Sequence, residues 1–182
     1  MADPVTVEGL QLPGRPDEET PEPIDFDHAD LQFHNVDHSG HSYEVRVYLN
    51  NSDATADTGR DEAQGYAGSF HIFGHGGCYG EEGHCDPQRR GKHTFDYRLP
   101  HPLLPMMKSV EVTGAVKRLR DEGAEQVSAT LVPIRYESSA ELAGEDVKDE
   151  LKLDSVSLVT YETSVEASAE QAPEPAGSRA QA

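Results

Sequence analysis

The stretch that decides the fold reads Tyr43-Glu44-Val45-Arg46-Val47-Tyr48-Leu49. Apolar and polar residues mostly alternate along it, so an extended chain would place the apolar side chains on one face. The next residues, 50–53, are two asparagines, a serine and an aspartate, which favour a turn. This stretch therefore predicts a half-buried β-strand that ends in a turn.

The same period of two recurs on both sides of this stretch. It predicts further strands over residues 29–36, 66–73, 108–113, 126–134 and 153–161. Long polar loops separate these segments, and several of the loops are rich in glycine or proline. Most of the ordered chain is therefore expected to be β-structure.

One segment has helical spacing instead. In residues 113–122, Ala115, Val116 and Leu119 fall on one helix face, and Thr113 and Gly123 are the cap signals at its two ends. One short helix among six to eight strands predicts a mainly β protein, an antiparallel β-sandwich with Greek-key-like connections.

The two ends of the chain differ from the middle in composition. Residues 12–23 are rich in proline and acidic residues, which predicts that residues 1–23 form an extended N-terminal arm. Within that arm, residues 5–12 alternate enough to allow a short docking strand. Residues 163–182 have the composition of a disordered acidic tail. The β-sandwich domain is then predicted over residues 24–162.

The charge of the chain limits its partners. It has 34 acidic and 15 basic side chains, a net charge of −19 at pH 7. Nucleic acids and anionic membranes are poor partners, because binding them relies on Lys and Arg. No apolar run approaches the roughly 20 residues needed to cross a bilayer, and the start lacks a secretory signal. We expect a cytoplasmic protein, with export alongside a partner as the alternative; the acidity suits either high salt or a basic partner.

The densest group of chemically active side chains lies in a glycine-rich run and comprises His71, His75, Cys78, His84 and Cys85. The two cysteines, seven positions apart, can form a disulfide because the glycines let the backbone turn back. The two thiolates and neighbouring histidines can instead bind Zn(II) or Cu(I), and free thiols are the third alternative. Copper and zinc are thus the only cofactors suggested, and neither is required.

Sequence signatures of common catalytic sites are missing. The chain contains no Gly-x-Ser-x-Gly elbow, no His-Glu-x-x-His pair and no phosphate-binding glycine loop. We therefore expect that the chain is not an enzyme.

The order of the predicted strands has a counterpart in a known family. The segments that carry it are residues 43–50, 66–70, 109–113, 127–133 and 153–158, of which Ala67-Gly68-Ser69-Phe70 and Thr130-Leu131-Val132-Pro133 are the most specific. Together they resemble the C-terminal β-sandwich domain of tyrosinases, plant polyphenol oxidases and molluscan haemocyanins, which are binuclear-copper proteins. The resemblance covers about residues 29–162.

The resemblance implies a sandwich without its catalytic half, because the family's copper domain is a helical bundle in which six histidines hold two coppers. In the family the sandwich covers the copper pocket and places one bulky side chain in its entrance. Tyr79 is the candidate for that plug by its loop position. The resemblance implies a protein partner, a binuclear-copper oxidase for which this chain would act as an accessory subunit. Self-assembly with further copies of the chain is the alternative partner. A small copper- or zinc-binding protein and a structural assembly subunit with an extended arm remain the alternatives.

Overall fold

The computed structural model describes residues 3–14, 25–40, 42–74, 104–135 and 151–163. Within these residues the chain forms seven strands, one α-helix and one 3-10 turn at Glu62–Gln64. The elements are β1 Val5–Gln11, β2 His28–Val36, β3 Tyr43–Leu49, β4 Tyr66–Ile72, β5 Met106–Glu111, α1 Thr113–Asp121, β6 Gln126–Arg135 and β7 Ser155–Tyr161.

The strands form two antiparallel sheets. The four-stranded sheet has the order β1-β6-β3-β4, and the three-stranded sheet has the order β5-β2-β7. The rings of Phe33 on β2 and Phe70 on β4 meet between them, with centroids 4.6 Å apart. The predicted fold class, an antiparallel β-sandwich with one helix, is confirmed.

Strand β1 lies within the residues predicted to form an arm. It pairs with β6 along the edge of the four-stranded sheet, and Val5 lies opposite Leu131. Leu10 and Leu12 are buried in the core. Residues 5–11 therefore form the docking strand that their alternation allows. The rest of the division into arm, sandwich and tail stays a prediction, because residues 15–24 and 164–182 lie outside the described residues.

Strand β3 differs from its prediction, because it is buried on both faces rather than on one. Residues 50–65 cover its outer face, where Tyr48, Ala54 and Val132 form a second small apolar cluster. The Tyr48 hydroxyl donates to the carbonyl oxygen of Thr58 at 3.0 Å. The alternation in β3 is therefore between two buried environments, one apolar and one mixed.

The sandwich has two unlike ends. At the end that we call the lower end, β2, β4 and β6 begin, and β3, β5 and β7 end. Helix α1 covers it, with Val116 fully buried and Phe26 only 2% exposed. The cationic groups of Lys117 and Arg120 lie 5.3 and 5.0 Å from the centroid of the Phe26 ring. The two longest connections, β4–β5 and β6–β7, begin and end at the opposite, upper end.

The start of α1 corrects one predicted detail. Thr113 does not cap the helix: the N-cap residue is Val112, and it makes no side-chain capping bond. The Thr113 hydroxyl instead accepts from the backbone N–H of Ala29 and donates to a carboxylate oxygen of Glu111. Gly123 has φ 97° just beyond the helix, as its stop signal predicts. Among the described residues, α1 is the longest helix and is far too short to cross a membrane.

Candidate functional site

The segment predicted to carry chemistry leaves from the upper end of the sandwich. His71 is exposed on β4 and lies opposite Glu44 of β3. The other predicted site residues lie outside the described residues, so the disulfide, the metal ligands and the plug stay predictions; these residues are His75, Cys78, Tyr79, His84 and Cys85. Within the described parts of the chain, no three His, Cys, Asp or Glu side chains lie close enough together to hold a metal ion.

Both boundaries of residues 75–103 are fixed to the connection between β2 and β3. The backbone N–H of Gly74 donates to the Ser42 hydroxyl at 3.0 Å. At the other boundary, Nε2 of His38 lies 2.8 Å from the carbonyl oxygen of Leu104. Because a carbonyl only accepts, Nε2 is the protonated nitrogen of His38. The segment with the candidate ligands therefore starts and ends at one place on the fold.

The β2–β3 connection is held by its own polar contacts. The backbone N–H of Ser39 donates to Oδ1 of Asp37 at 2.8 Å, and the N–H of Asp37 donates to the carbonyl oxygen of Lys152. Burial raises the pKa of the Asp37 carboxyl, but the bonds from Ser39 together with nearby charges, Lys152 first among them, outweigh it and leave the pKa below its ordinary value. Asp37 thus stays ionised at neutral pH and keeps this turn in place.

Apolar side chains are exposed at the same end. Phe73, which follows β4, is 74% exposed, and Leu104, which precedes β5, is 62% exposed. Met107, at the start of β5, is also 62% exposed. We call these three side chains the upper apolar group. Their exposure could not be predicted from the sequence, because alternation alone placed Phe73 inside a strand and gave no sign that it lies beyond the covered part of the sheet.

A buried carboxylate on the four-stranded sheet was also not foreseen. Glu44 is 2% exposed, and its Oε2 lies 2.7 Å from Nη2 of Arg60 and 3.5 Å from Nε of Arg46. Arg46 also donates through Nη1 to the carbonyl oxygen of Ala56 at 2.9 Å. These contacts fasten residues 50–65 to the outer face of the sheet. Because Arg60 is 16 positions from Glu44, no local sequence period could indicate the pair.

A cleft among the described residues lies at the lower end. It has a volume of about 290 Å³ and lies between residues 49–51, residues 62–65 and helix α1. Three charged side chains line it, and two of them pair with each other, since Nη1 of Arg118 lies 3.1 Å from Oε2 of Glu62; the third is Glu122.

The fold defines this chain as a two-sheet antiparallel β-sandwich. No family model matches the chain, and no curated protein matches it. Similar solved structures include latent aurone synthase (polyphenol oxidase) from natural source and the recombinantly expressed form of that enzyme. Each has 16% sequence identity, a TM-score of 0.47 and coverage of 87% of this chain. The chain spans 24% of the length of those enzymes.

Proposed function

We propose that this chain is a non-catalytic β-sandwich that binds a protein partner and shields or regulates it. The observation that carries the proposal is the position of the upper apolar group. Of the four large hydrophobic side chains that are exposed among the described residues, three lie at the upper end, and the fourth, Tyr161, lies at the lower end. Exposed apolar side chains gathered at one end of a soluble domain are typical of protein–protein interfaces.

The framework around this group is rigid enough to present it. Phe73 lies between Ile72, which is 1% exposed, and Gly74, which bonds to Ser42. Leu104 is fixed through its carbonyl oxygen to His38. A side chain held by its backbone in this way loses little further freedom on binding, so more of its burial energy contributes to affinity.

The partner that we propose is a binuclear-copper oxidase. The support for this choice is the resemblance of the strand motifs to the sandwich domain of tyrosinases and polyphenol oxidases. Two of those motifs lie on β4 and β6, which flank β3 in the four-stranded sheet. In this proposal the upper end covers the oxidase surface.

The test combines this chain with the purified catalytic domain of a binuclear-copper oxidase. The oxidase is taken from the same organism as this chain. We expect a complex on sizing chromatography and a rate of diphenol oxidation that changes as the sandwich is added and then levels off at a fixed ratio. A rate that stays constant, with no complex and no other protein retained by the chain, would contradict the proposal.

Variants of the upper apolar group locate the interface. The double variant Phe73→Ser and Leu104→Ser removes two exposed apolar contacts, and we expect the affinity to fall at least roughly tenfold. Ala63→Ser, an exposed change near the lower end, is the matched control and should leave the affinity unchanged. Equal binding by both variants would place the interface elsewhere.

A further inference from the structure

The edge strands of the two sheets differ in how they are protected against pairing with a further strand. Natural sheets block edge-to-edge pairing with bulges, charges or covering elements. Among the described strands, β1 carries a bulge at Gly9, where φ is 73°. The register of β5 shifts near Val36, and that of β4 shifts near Tyr48. These three edges are therefore irregular.

Two of the edges also cover each other. Strands β4 and β5 approach so closely that a Cβ atom built at Gly68 would lie 2.5 Å from Cγ1 of Val110. That contact joins the two sheets on one side of the sandwich. On the other side of the sandwich β1 lies near β7, although the two strands approach each other over a shorter stretch than β4 and β5 do.

Strand β7 has neither a bulge nor a charged residue. Its sequence, Ser155-Val156-Ser157-Leu158-Val159-Thr160-Tyr161, contains no charge, proline or glycine. It pairs with β2 through seven consecutive positions without a shift. Within the described residues, no strand pairs with its other side. A regular, uncharged edge with free backbone N–H and C=O groups is a template for an added strand.

The side chains of β7 suit such an addition. Val156 is buried and Leu158 packs against the core, so these residues hold the strand on the sandwich. Ser157 and Val159 alternate with them and lie on the outer face, where Nε2 of His34 lies 2.8 Å from the Ser157 hydroxyl. A strand placed beside β7 would therefore meet an ordered, partly apolar surface.

The charges around β7 indicate the occupant. Exposed Asp154 precedes the strand, exposed Glu162 follows it, and Asp30 lies opposite Val159 on β2. Before the strand, the nearest cation in the described sequence is Lys152. Its charge helps to lower the pKa of Asp37. The strand is thus uncharged along its length and acidic at both ends, so a segment with Lys or Arg at its ends complements it.

A second copy of the chain is a poorer occupant. Antiparallel self-pairing centred on Leu158 would place Asp154 of one copy opposite Glu162 of the other, at both ends of the paired strands. Like charges directly opposite each other destabilise a strand pair. Each copy also carries a net charge of −19, which adds long-range repulsion.

We propose that the free edge of β7 accepts an extended, basic-flanked segment of a partner protein as an added strand of the three-stranded sheet. The probe is a short synthetic peptide in which valine and threonine alternate between paired lysines. Some backbone amides of β7 point away from β2. We expect the peptide to slow hydrogen exchange at these amides. A peptide of the same core flanked by glutamates should give no protection, and N-methylation of the lysine peptide's core should abolish it.

Two matched variants locate the contact on β7 rather than on the sheet in general. Val159→Lys adds a cation to the outer face of β7, and Ser109→Lys adds one to the outer face of β5 at the other edge of the same sheet. We expect Val159→Lys to weaken binding of the lysine peptide about fivefold and Ser109→Lys to have less than half that effect. Far-ultraviolet circular dichroism checks that both variants fold.

The proposal is overturned by any of three results: no added protection in β7, equal binding of the lysine and glutamate peptides, or equal effects of the two variants. Self-association of the chain through β7 in place of peptide binding would also overturn it. No oxidase enters this experiment, so its outcome is separate from the test of the upper apolar group.

Discussion

At the scale of single residues, the Glu44 side chain is buried, and the stability of the protein depends on the arginines that contact this carboxylate. Arg60 donates to it at 2.7 Å, and Arg60 itself is half exposed. Removing a partner from a buried charge costs far more than removing one from an exposed pair, because the remaining charge is not solvated by water. We expect Arg60→Met to lower the free energy of unfolding by about 2–3 kcal/mol, measured by urea unfolding at pH 7.

Two controls separate the effect of burying the carboxylate from the effect of losing an ion pair. Arg118→Met breaks the pair with Glu62, whose side chain is 80% exposed, and should cost less than about 1 kcal/mol. The double variant Glu44→Gln and Arg60→Met should cost less than Arg60→Met alone, because no unpaired carboxylate is left buried. Equal losses in Arg60→Met and Arg118→Met would show that Glu44 is not effectively buried in solution.

Tyr161 gives a pH-dependent signal at the end of β7. Its hydroxyl donates to Oδ2 of Asp30 at 3.1 Å, and this bond raises the pKa of Tyr161 above its ordinary value of 10.0. Because the neutral phenol is favoured in the folded protein, the stabilisation is present below about pH 10 and is lost as the pH rises through the raised pKa. We expect Asp30→Asn to lower the pKa of Tyr161, measured by ultraviolet titration.

Subtracting the titration of Tyr161→Phe from that of the unmodified chain isolates this phenol among the seven tyrosines. The same difference is then taken between Asp30→Asn and its Tyr161→Phe double variant. An identical Tyr161 transition with and without the Asp30 carboxylate would contradict the assigned bond.

At the scale of elements, the two glycines at the ends of α1 have opposite roles. A Cβ at Gly114 would meet nothing within 4 Å, and its φ is not in the left-handed region. Gly123, in contrast, has φ 97°. We expect Gly114→Ala to stabilise the protein by about 0.5 kcal/mol, since alanine favours a helix over glycine. Gly123→Ala should destabilise it by about 1 kcal/mol, and both are read from urea midpoints.

If both glycine variants shift the midpoint in the same direction, the helix end differs from the one described. The pair also tests how α1 contributes to the lower end. Val116 of α1 is fully buried at that end, so the stability of the helix contributes to the packing there.

The elements also divide what the sequence could predict from what it could not. Alternation is a local signal, and it located β3 at residues 43–49 and β4 from residue 66 because each strand has a buried apolar face. The burial of the second face of β3 depends on the contact of Tyr48 with Thr58, which is a tertiary bond. Edge strand β1 was ambiguous because its pairing with β6 joins residues more than 100 positions apart.

For the candidate site, the sequence could predict the residue types but not their arrangement. The His/Cys run stands out in the sequence, and the structure adds that Gly74 and Leu104, the described residues on either side of residues 75–103, bond to Ser42 and His38. The upper apolar group could not be foreseen, because exposure depends on which strands stop and which continue at that end. Thr113 shows the same limit: its hydroxyl bonds to Ala29, 84 positions away, in place of the expected cap.

At the scale of the whole molecule, the net charge of −19 acts on folding and on binding in opposite ways. Self-repulsion opposes the compact state, and salt screens it over a Debye length of about 10 Å at 0.1 M. The Glu44–Arg60 contact has one buried partner, Glu44, and is screened less than a fully exposed pair. We therefore expect the urea midpoint to rise between about 0.05 M and 1 M sodium chloride.

The same salt should weaken attraction between the acidic ends of β7 and the lysine peptide, because that attraction crosses solvent. Stability and peptide affinity should thus move in opposite directions across one salt series. A glucose series of matched osmolality is the control for solvent effects without screening. A urea midpoint that falls with salt would show that ion pairs, rather than repulsion, dominate the surface; an affinity insensitive to salt would show that backbone pairing alone holds the added strand.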